Sequence, residues 1–318
     1  MEPPATILVA DDLEAHREMV SEMLRSQGYQ VLLARDGSEA IALLKQHRVD
    51  MAVLDVEMPG SSGLEVCRVI KANPETRLTP VIIVTGFGSN QDRISGYVNL
   101  ADEYITKPLH KGEFLARIHS LLQVKQLTDE LERSETVLFT LARSIEAKDR
   151  YTEGHCERLS VYSESLAARL GLPEKMRVAL RRGGIVHDIG KVAVPDHILL
   201  KPGPLTPGER KIMERHTVEG ERICAPLKSF ASVLPIIRHH HERLDGTGYP
   251  DGLRGNEIPL NARILTTVDI YDALTMDRPY RKAQSQKEAF AQMRTEVERG
   301  WWDSRLIDEF ERLIMKTA

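Results

Sequence analysis

Two sets of side chains in this 318-residue chain have the types and spacing to do chemistry. The first is acidic. Asp11-Asp12 closes one short apolar run, Asp55 closes a second, Thr85 a third, and Lys107 follows Tyr104-Ile105-Thr106. Three carboxylates in one crevice repel each other unless a cation neutralises them, and carboxylate oxygens suit Mg²⁺. Asp55 would sit beside an ion able to orient a phosphoryl donor, with Thr85 and Lys107 placed to receive charge on phosphoryl oxygens. The second set is rich in histidine: His155, His187, His216, His240 and His241. Asp188 directly follows His187, and Asp269 interrupts the apolar stretch from Ile264 to Ile270. An unpartnered buried carboxylate is costly, and shared metal ions would satisfy imidazoles and aspartates together. Nitrogen and carboxylate donors suit Mn, Fe, Co, Ni or Zn rather than Ca²⁺. Two ions sharing Asp188 would lie about 3.5–4 Å apart, the spacing at which two-metal hydrolases activate water against a phosphodiester.

The elements that must position these residues differ between the two halves. Ile7-Leu8-Val9-Ala10, Met51-Ala52-Val53-Leu54 and Val81-Ile82-Ile83-Val84 are nearly continuous apolar runs. Amphipathic stretches such as Glu39 to Gln46 separate them. That alternation predicts an α/β doubly wound parallel sheet covered on both faces, whose strand carboxyl ends meet in one crevice. Reading Asp11 and Asp12 as N-caps of the next helix accounts for one of them but not for the recurrence at other strand ends. From Lys111 the pattern is helical, with no Pro or Gly between Glu113 and Tyr151. Val124, Leu127, Leu131, Ser134, Leu138, Leu141 and Ile145 form a heptad seam with one polar interruption. The seam favours a parallel dimer helix, and hence a homodimer, over a helix packing within its own chain. From Glu157 onward the periodicity is helical, with Gly171 placed as a C′ residue, so the second half reads as all-α. Leu199 to Gly208, with Pro202, Pro204 and Pro207, reads as a loop.

Composition excludes several classes. Hydrophobic residues are 42% and charged residues 28%, ordinary for a globular protein and against a largely disordered chain. A net charge of −4 gives no basic field for DNA or RNA. The three cysteines, Cys67, Cys156 and Cys224, form no cluster, against both a disulfide scaffold and a structural zinc. No apolar run approaches the ~20 residues of a membrane span, and no signal peptide precedes the first strand. The expected location is the cytoplasm.

Residues 1–123 resemble a response-regulator receiver domain in the order and spacing of Asp11, Asp12, Asp55, Met58-Pro59-Gly60, Thr85, Tyr104 and Lys107-Pro108. The resemblance implies Asp55 as phosphoacceptor, Asp11 and Asp12 with Asp55 as Mg²⁺ ligands, and Thr85, Tyr104 and Lys107 as switch residues. It also implies a cognate histidine kinase. Residues 124–145 would be a helical connector. Residues 137–318 resemble the HD-GYP domain, a branch of the HD phosphohydrolases. The match runs through His187-Asp188, Gly190-Lys191, His240 to Gly248-Tyr249-Pro250, Gly252-Leu253, Ile258-Pro259, Asp269, Asp272-Ala273-Leu274 and Arg278-Pro279-Tyr280-Arg281. That family hydrolyses cyclic di-GMP. The resemblance implies one metal on His155, His187, Asp188 and Asp269, and another on Asp188, His216, His240 and His241. Asp188 and Lys191 would be catalytic, and Lys191, Arg278 and Arg281 would contact phosphate.

One position departs from the family pattern. Tyr151 stands four residues before His155, where some members carry a glutamate that helps hold a third metal. Two transition metals, iron or manganese foremost, are therefore expected, with pGpG as the main product and GMP slower. His239 cannot face the same point as His240 and His241, so it is placed outside the cluster. Trp301-Trp302 is assigned to packing of the last helix. Two other functions fit the same residues: a catalytically weak adaptor binding proteins such as diguanylate cyclases, and a hydrolase of another cyclic dinucleotide.

Overall fold

The computed structural model describes residues 4–86, 100–148, 154–277 and 282–317. The chain divides into two units, Met1–Arg133 and Ser134–Ala318. In the first, β1 (Thr6–Ala10), β2 (Gln30–Ala34), β3 (Met51–Asp55), β4 (Val81–Thr85) and β5 (Glu103–Thr106) form a parallel sheet in the order β2-β1-β3-β4-β5. β3 and β4 are buried along their whole length, which is why they read as unbroken apolar runs rather than alternating ones. Side chains alternate between two cores. Leu8, Ala52, Leu54 and Ile83 pack on one side with α2 (Gly37–Gln46) and α3 (Gly63–Ala72). Ile7, Val9, Val53 and Ile82 pack on the other with α1 (Glu14–Arg25) and with Phe114 and Ile118. Asp55 ends β3 and Thr85 ends β4, while Asp11 and Lys107 directly follow β1 and β5. The strand order thus delivers four functional side chains to one edge. Neither Asp11 nor Asp12 caps α1: the N-cap is Leu13, whose N–H donates to Asp11 Oδ1 at 2.9 Å.

One helix, α4 (Lys111–Lys148), carries the end of the first unit and the start of the second. It corrects the heptad reading in part. Val124, Leu127, Leu131 and Leu141 are exposed, but Leu138 is buried in the second unit's own core and Ile145 packs against it. The seam therefore cannot serve a partner helix along its whole length.

The second unit is helical, as its periodicity predicts. Its helices are α5 (His155–Arg169), α6 (Glu174–Val186), α7 (Asp196–Leu199), α8 (Pro207–Glu214), α9 (His216–Cys224), α10 (Leu234–His239), α11 (Leu260–Thr275), α12 (Gln286–Glu298) and α13 (Ser304–Thr317). Gly171 follows α5 with φ +70, the left-handed conformation a helix terminator needs. The loop expected through Gly208 ends earlier. Thr206 caps α8 through Glu209, so Pro207 and Gly208 form its first turn. α11 is the central element: Ile264, Leu265, Val268, Tyr271 and Leu274 all lie in the core. Tyr271 stacks on Phe290 at 4.9 Å and meets Phe310 edge-on at 5.1 Å. Among the described residues, no helix is long and apolar enough to cross a membrane.

This packing generates a stability prediction. Phe290 is 1% exposed, and Phe290→Ala should cost about 3–5 kcal/mol. Both tryptophans, Trp301 and Trp302, lie in the helical unit, so urea denaturation followed by tryptophan fluorescence reads it directly. A loss below about 1 kcal/mol would contradict the placement of this ring at the centre of the core.

Candidate metal centre and phosphoacceptor site

In the helical unit, six elements converge on one point. α5 begins at His155, α6 ends next to His187, and Asp188 opens the 3-10 turn Ile189–Ala193. α9 begins at His216, α10 ends next to His240, and α11 carries Asp269. The close approach of the 3-10 turn to α9 depends on Gly190, where a Cβ would lie 1.8 Å from the His216 carbonyl oxygen.

The ligand-type atoms form two groups, each with its members within 4.8 Å of one another: Asp188, His216, His240 and His241, and His155, His187 and Asp269. Asp188 joins them. Its Oδ2 is 3.4 Å from His187 Nε2, while its Oδ1 is 3.2 Å from His216 Nε2 and 3.9 Å from His240 Nε2. His155 Nε2 lies 3.6 Å from Asp269 Oδ1.

The tautomers follow from the hydrogen bonds. Nδ1 of His187, His216 and His240 faces the carbonyl oxygens of Gly184, Met213 and Ile237 at 3.1, 2.8 and 2.8 Å. A carbonyl only accepts, so Nδ1 carries the hydrogen and Nε2 presents its lone pair. His216 and His240 then point Nε2 atoms at each other across 3.5 Å. Asp188 Oδ1 is buried without a hydrogen bond of good geometry. Lone pairs directed at one another and an orphaned carboxylate oxygen are the arrangement a cation resolves, so the residues present fit divalent ions with nitrogen and oxygen donors.

The charges are uneven. Burial, then the neighbouring histidines, hold His240 and His241 well below the ordinary imidazole range. Burial would also lower His187, but the Asp188 charge and hydrogen bond outweigh it and raise His187 above its ordinary value. Burial alone would raise Asp188. The Lys191 ammonium, 2.6 Å from its Oδ2, and His187 hold it well below the carboxylate range.

The segment from Glu242 to Leu253 forms the rim. Buried Glu242 accepts backbone N–H bonds from Asp251, Gly252 and Leu253 at 2.7, 3.0 and 3.1 Å. This clasp carries Tyr249 onto the His241 ring, with centroids 4.8 Å apart. Burial first, and Asp188 next, push the Tyr249 hydroxyl above its ordinary range, so it stays protonated. His239 turns away to Asp251 Oδ2 at 3.0 Å. Trp301 lies under the Arg243 guanidinium, 4.0 Å from its ring centroid, and Trp302 packs against the core.

In the receiver unit, carboxylate oxygens of Asp11, Asp12 and Asp55 lie within 4.8 Å of one another. Lys107 Nζ bonds Asp11 Oδ2 at 3.0 Å and Asp55 Oδ1 at 3.1 Å. Burial raises Asp55 above the usual carboxylate value although Lys107 pulls it down. Thr85 is buried beside this edge and Tyr104 lies on β5, partly buried.

Several participants escaped sequence reasoning. His16 Nδ1 lies 3.1 Å from Lys107 Nζ. Asp272 Oδ2 accepts from His155 Nδ1 at 2.7 Å, and Arg158 grips Asp272 with Nε at 2.6 Å and Nη2 at 3.0 Å. Glu146 on α4 accepts the Cys156 N–H at 3.1 Å, and Arg143 pairs with Glu157 at 2.6 Å. Asp272 and Arg158 each stand three residues after a predicted ligand on a helix, a spacing that could have exposed them. Tyr151, Arg278 and Arg281 lie outside the described residues.

Fold and site together define a class: a phosphoacceptor receiver followed by a helical metal-dependent hydrolase. Residues 7–119 match the response regulator receiver domain and residues 139–306 match the HD domain. The chain belongs to the family of response regulators that join a receiver to an HD domain. It is 36% identical to a probable cyclic di-GMP phosphodiesterase of Vibrio cholerae, over 90% of this chain and 73% of that one. It is 33% identical to a cyclic di-GMP phosphodiesterase response regulator of Xanthomonas campestris, over 96% and 87%. It is 42% identical to a 3'3'-cGAMP-specific phosphodiesterase of Vibrio cholerae, over 50% of this chain and 35% of that one.

The uneven proton affinities predict two-step metal release. Protons and metal ions compete for the same imidazole nitrogen. As pH falls, His187, with its raised proton affinity, protonates before His240 and His241, whose affinity is lowered. An ion held by the group that contains His187 should therefore leave at higher pH than one held by the group that contains His240 and His241. Equilibrium dialysis of Mn²⁺-loaded protein from about pH 8 to about pH 5, the range of imidazole titration, should show two steps. Loss of both ions in one step would contradict this ordering.

Proposed function

We propose that the chain is a response regulator that hydrolyses cyclic di-GMP to pGpG, with GMP forming more slowly, under control of phosphorylation at Asp55. The observation that carries this reading is the position of Asp188, with one oxygen toward His187 and the other toward His216 and His240. His155, His187, Asp188 and Asp269 hold one ion. Asp188, His216, His240 and His241 hold the other. The nitrogen-rich donor set favours iron or manganese, with Ni, Co and Zn as further candidates. Such ions, when bound, acidify water and neutralise charge on phosphoryl oxygens.

The chain's own residues supply the rest. Lys191, placed by its ion pair with Asp188, presents an ammonium to the phosphate and is the candidate proton donor to the leaving oxygen. Arg278 and Arg281 are the further proposed phosphate contacts, as forked donors suited to a phosphodiester. Tyr249, kept protonated, shapes the rim and is no nucleophile. Seven side chains directed at one point argue against a pure adaptor. With Tyr151 in place of a carboxylate, two ions rather than three are assigned. After one cut the linear product must rebind in a new register, which is why pGpG should accumulate.

In the receiver, Asp11, Asp12 and Asp55 hold Mg²⁺, and a cognate histidine kinase supplies the phosphoryl group to Asp55. Phosphorylation adds about −1.5 to −2 charge, which Thr85 and Lys107 answer by moving toward it while Tyr104 turns. The path onward is α4. Its last turns clasp the start of α5 through Glu146 to the Cys156 N–H and through Arg143 to Glu157. Cys156 neighbours His155, so a small rotation of α4 reaches a metal ligand. The exposed Val124, Leu127 and Leu131 offer a short apolar seam for a second copy of the chain. Diguanylate cyclases are candidate protein partners, and the cytoplasm is the proposed location.

The test is turnover of purified, Mn²⁺- or Fe²⁺-loaded protein on cyclic di-GMP and on 3'3'-cGAMP, with products separated by chromatography. Cyclic di-GMP should be preferred, pGpG should accumulate and Asp188→Ala should abolish turnover. Preference for 3'3'-cGAMP would shift the substrate assignment, and no turnover with any metal would favour the adaptor. Acetyl phosphate should change turnover and association state in the wild type but not in Asp55→Asn. Equal responses in both would break the proposed coupling.

A further inference from the structure

Four histidines of the candidate metal site are oriented by two different kinds of acceptor. His187, His216 and His240 rest Nδ1 on neutral backbone carbonyls within their own turns. His155 instead donates to Asp272, a carboxylate 3% exposed, at 2.7 Å. A carboxylate in this position fixes the tautomer and ring orientation and makes Nε2 a stronger donor. Such a buried carboxylate needs a partner, and Arg158 supplies it with a two-point grip at 2.6 and 3.0 Å. The sequence makes this possible through two helical repeats. Arg158 stands one turn after His155 on α5, and Asp272 one turn after Asp269 on α11. Successive turns of α11 therefore bracket one imidazole, with Asp272 on its Nδ1 and Asp269 3.6 Å from its Nε2.

We infer that Asp272 and Arg158 are positioning residues that strengthen the His155 subsite selectively, so that the two ions are held unequally. This rests on the two-metal reading above. Asp272 aligns and polarises His155. Arg158 acts through Asp272, holding the carboxylate in place and balancing its charge, and neither residue is a ligand. The pair is joined to the cluster through the bond from His155 Nδ1 to Asp272, so its removal acts first on the ion of that side. General loosening of the packing would act on both.

The test is Co²⁺ binding to the full chain at constant pH, followed by calorimetry and by the visible spectrum of the bound ion, with thermal melting of the metal-free protein as the folding control. Wild type should bind two ions. Asp272→Asn, which keeps the shape but removes the charge, should weaken one ion by about 10–100-fold, leave the other within about threefold and alter the spectrum of the weakened ion alone. Arg158→Gln should weaken the same ion by a smaller factor, and Arg158→Lys, which keeps the positive charge, should largely restore it. Should Asp272→Asn fail to fold, the two Arg158 variants decide. Equal weakening of both ions, or wild-type binding in the folded variants, would overturn the inference while leaving the two-metal reading intact. A wild type that binds no metal would remove that reading and the inference with it.

Discussion

The helical unit is organised around one constraint: Asp188 is a carboxylate whose two oxygens face different groups of imidazoles. A carboxylate with one oxygen buried among lone pairs is tolerable only with positive charge on both sides. Lys191 provides part of it at 2.6 Å, and the remainder is what a pair of cations would supply. The surrounding elements serve that arrangement. Gly190 lets the 3-10 turn press against the start of α9. The carbonyls of Gly184, Met213 and Ile237 set three tautomers. Glu242 ties the rim through three backbone N–H groups.

The receiver unit solves a related problem with different means. There the acidic oxygens gather at the carboxyl edge of a parallel sheet because the neighbouring strands β1 and β3 end on them, and Lys107 arrives from β5 to bridge Asp11 and Asp55. Burial keeps Asp55 protonating more readily than an ordinary aspartate, while Lys107 opposes that. The helix that leaves this sheet is the one whose last turns touch the start of the helix bearing His155.

Much of this was legible in the sequence, for identifiable reasons. Continuous apolar runs ending in Asp, Asp and Thr mark buried parallel strands and the edge where they meet, because such strands need no polar alternation. The seven candidate ligands stand out because histidines and an aspartate in apolar helical stretches demand partners. What was not legible depended on long-range packing. The heptad seam did not reveal that Leu138 belongs to the chain's own core, since a core stripe and a dimer stripe share one period. Pro207 and Gly208 read as loop residues although Thr206 and Glu209 start a helix there. His16 on Lys107 and Glu146 on the Cys156 amide join residues 91 and 10 positions apart in the sequence, where no local pattern signals the pairing.

The central claim is that Asp188 bridges two ions in one site. Electron paramagnetic resonance of Mn²⁺-loaded protein tests it without reference to turnover. Two ions sharing a carboxylate are magnetically coupled, so the wild type should show the spectrum of an exchange-coupled pair and Asp188→Ala should show none of it. A wild-type spectrum consisting only of isolated, uncoupled Mn²⁺ at full metal loading would contradict the account.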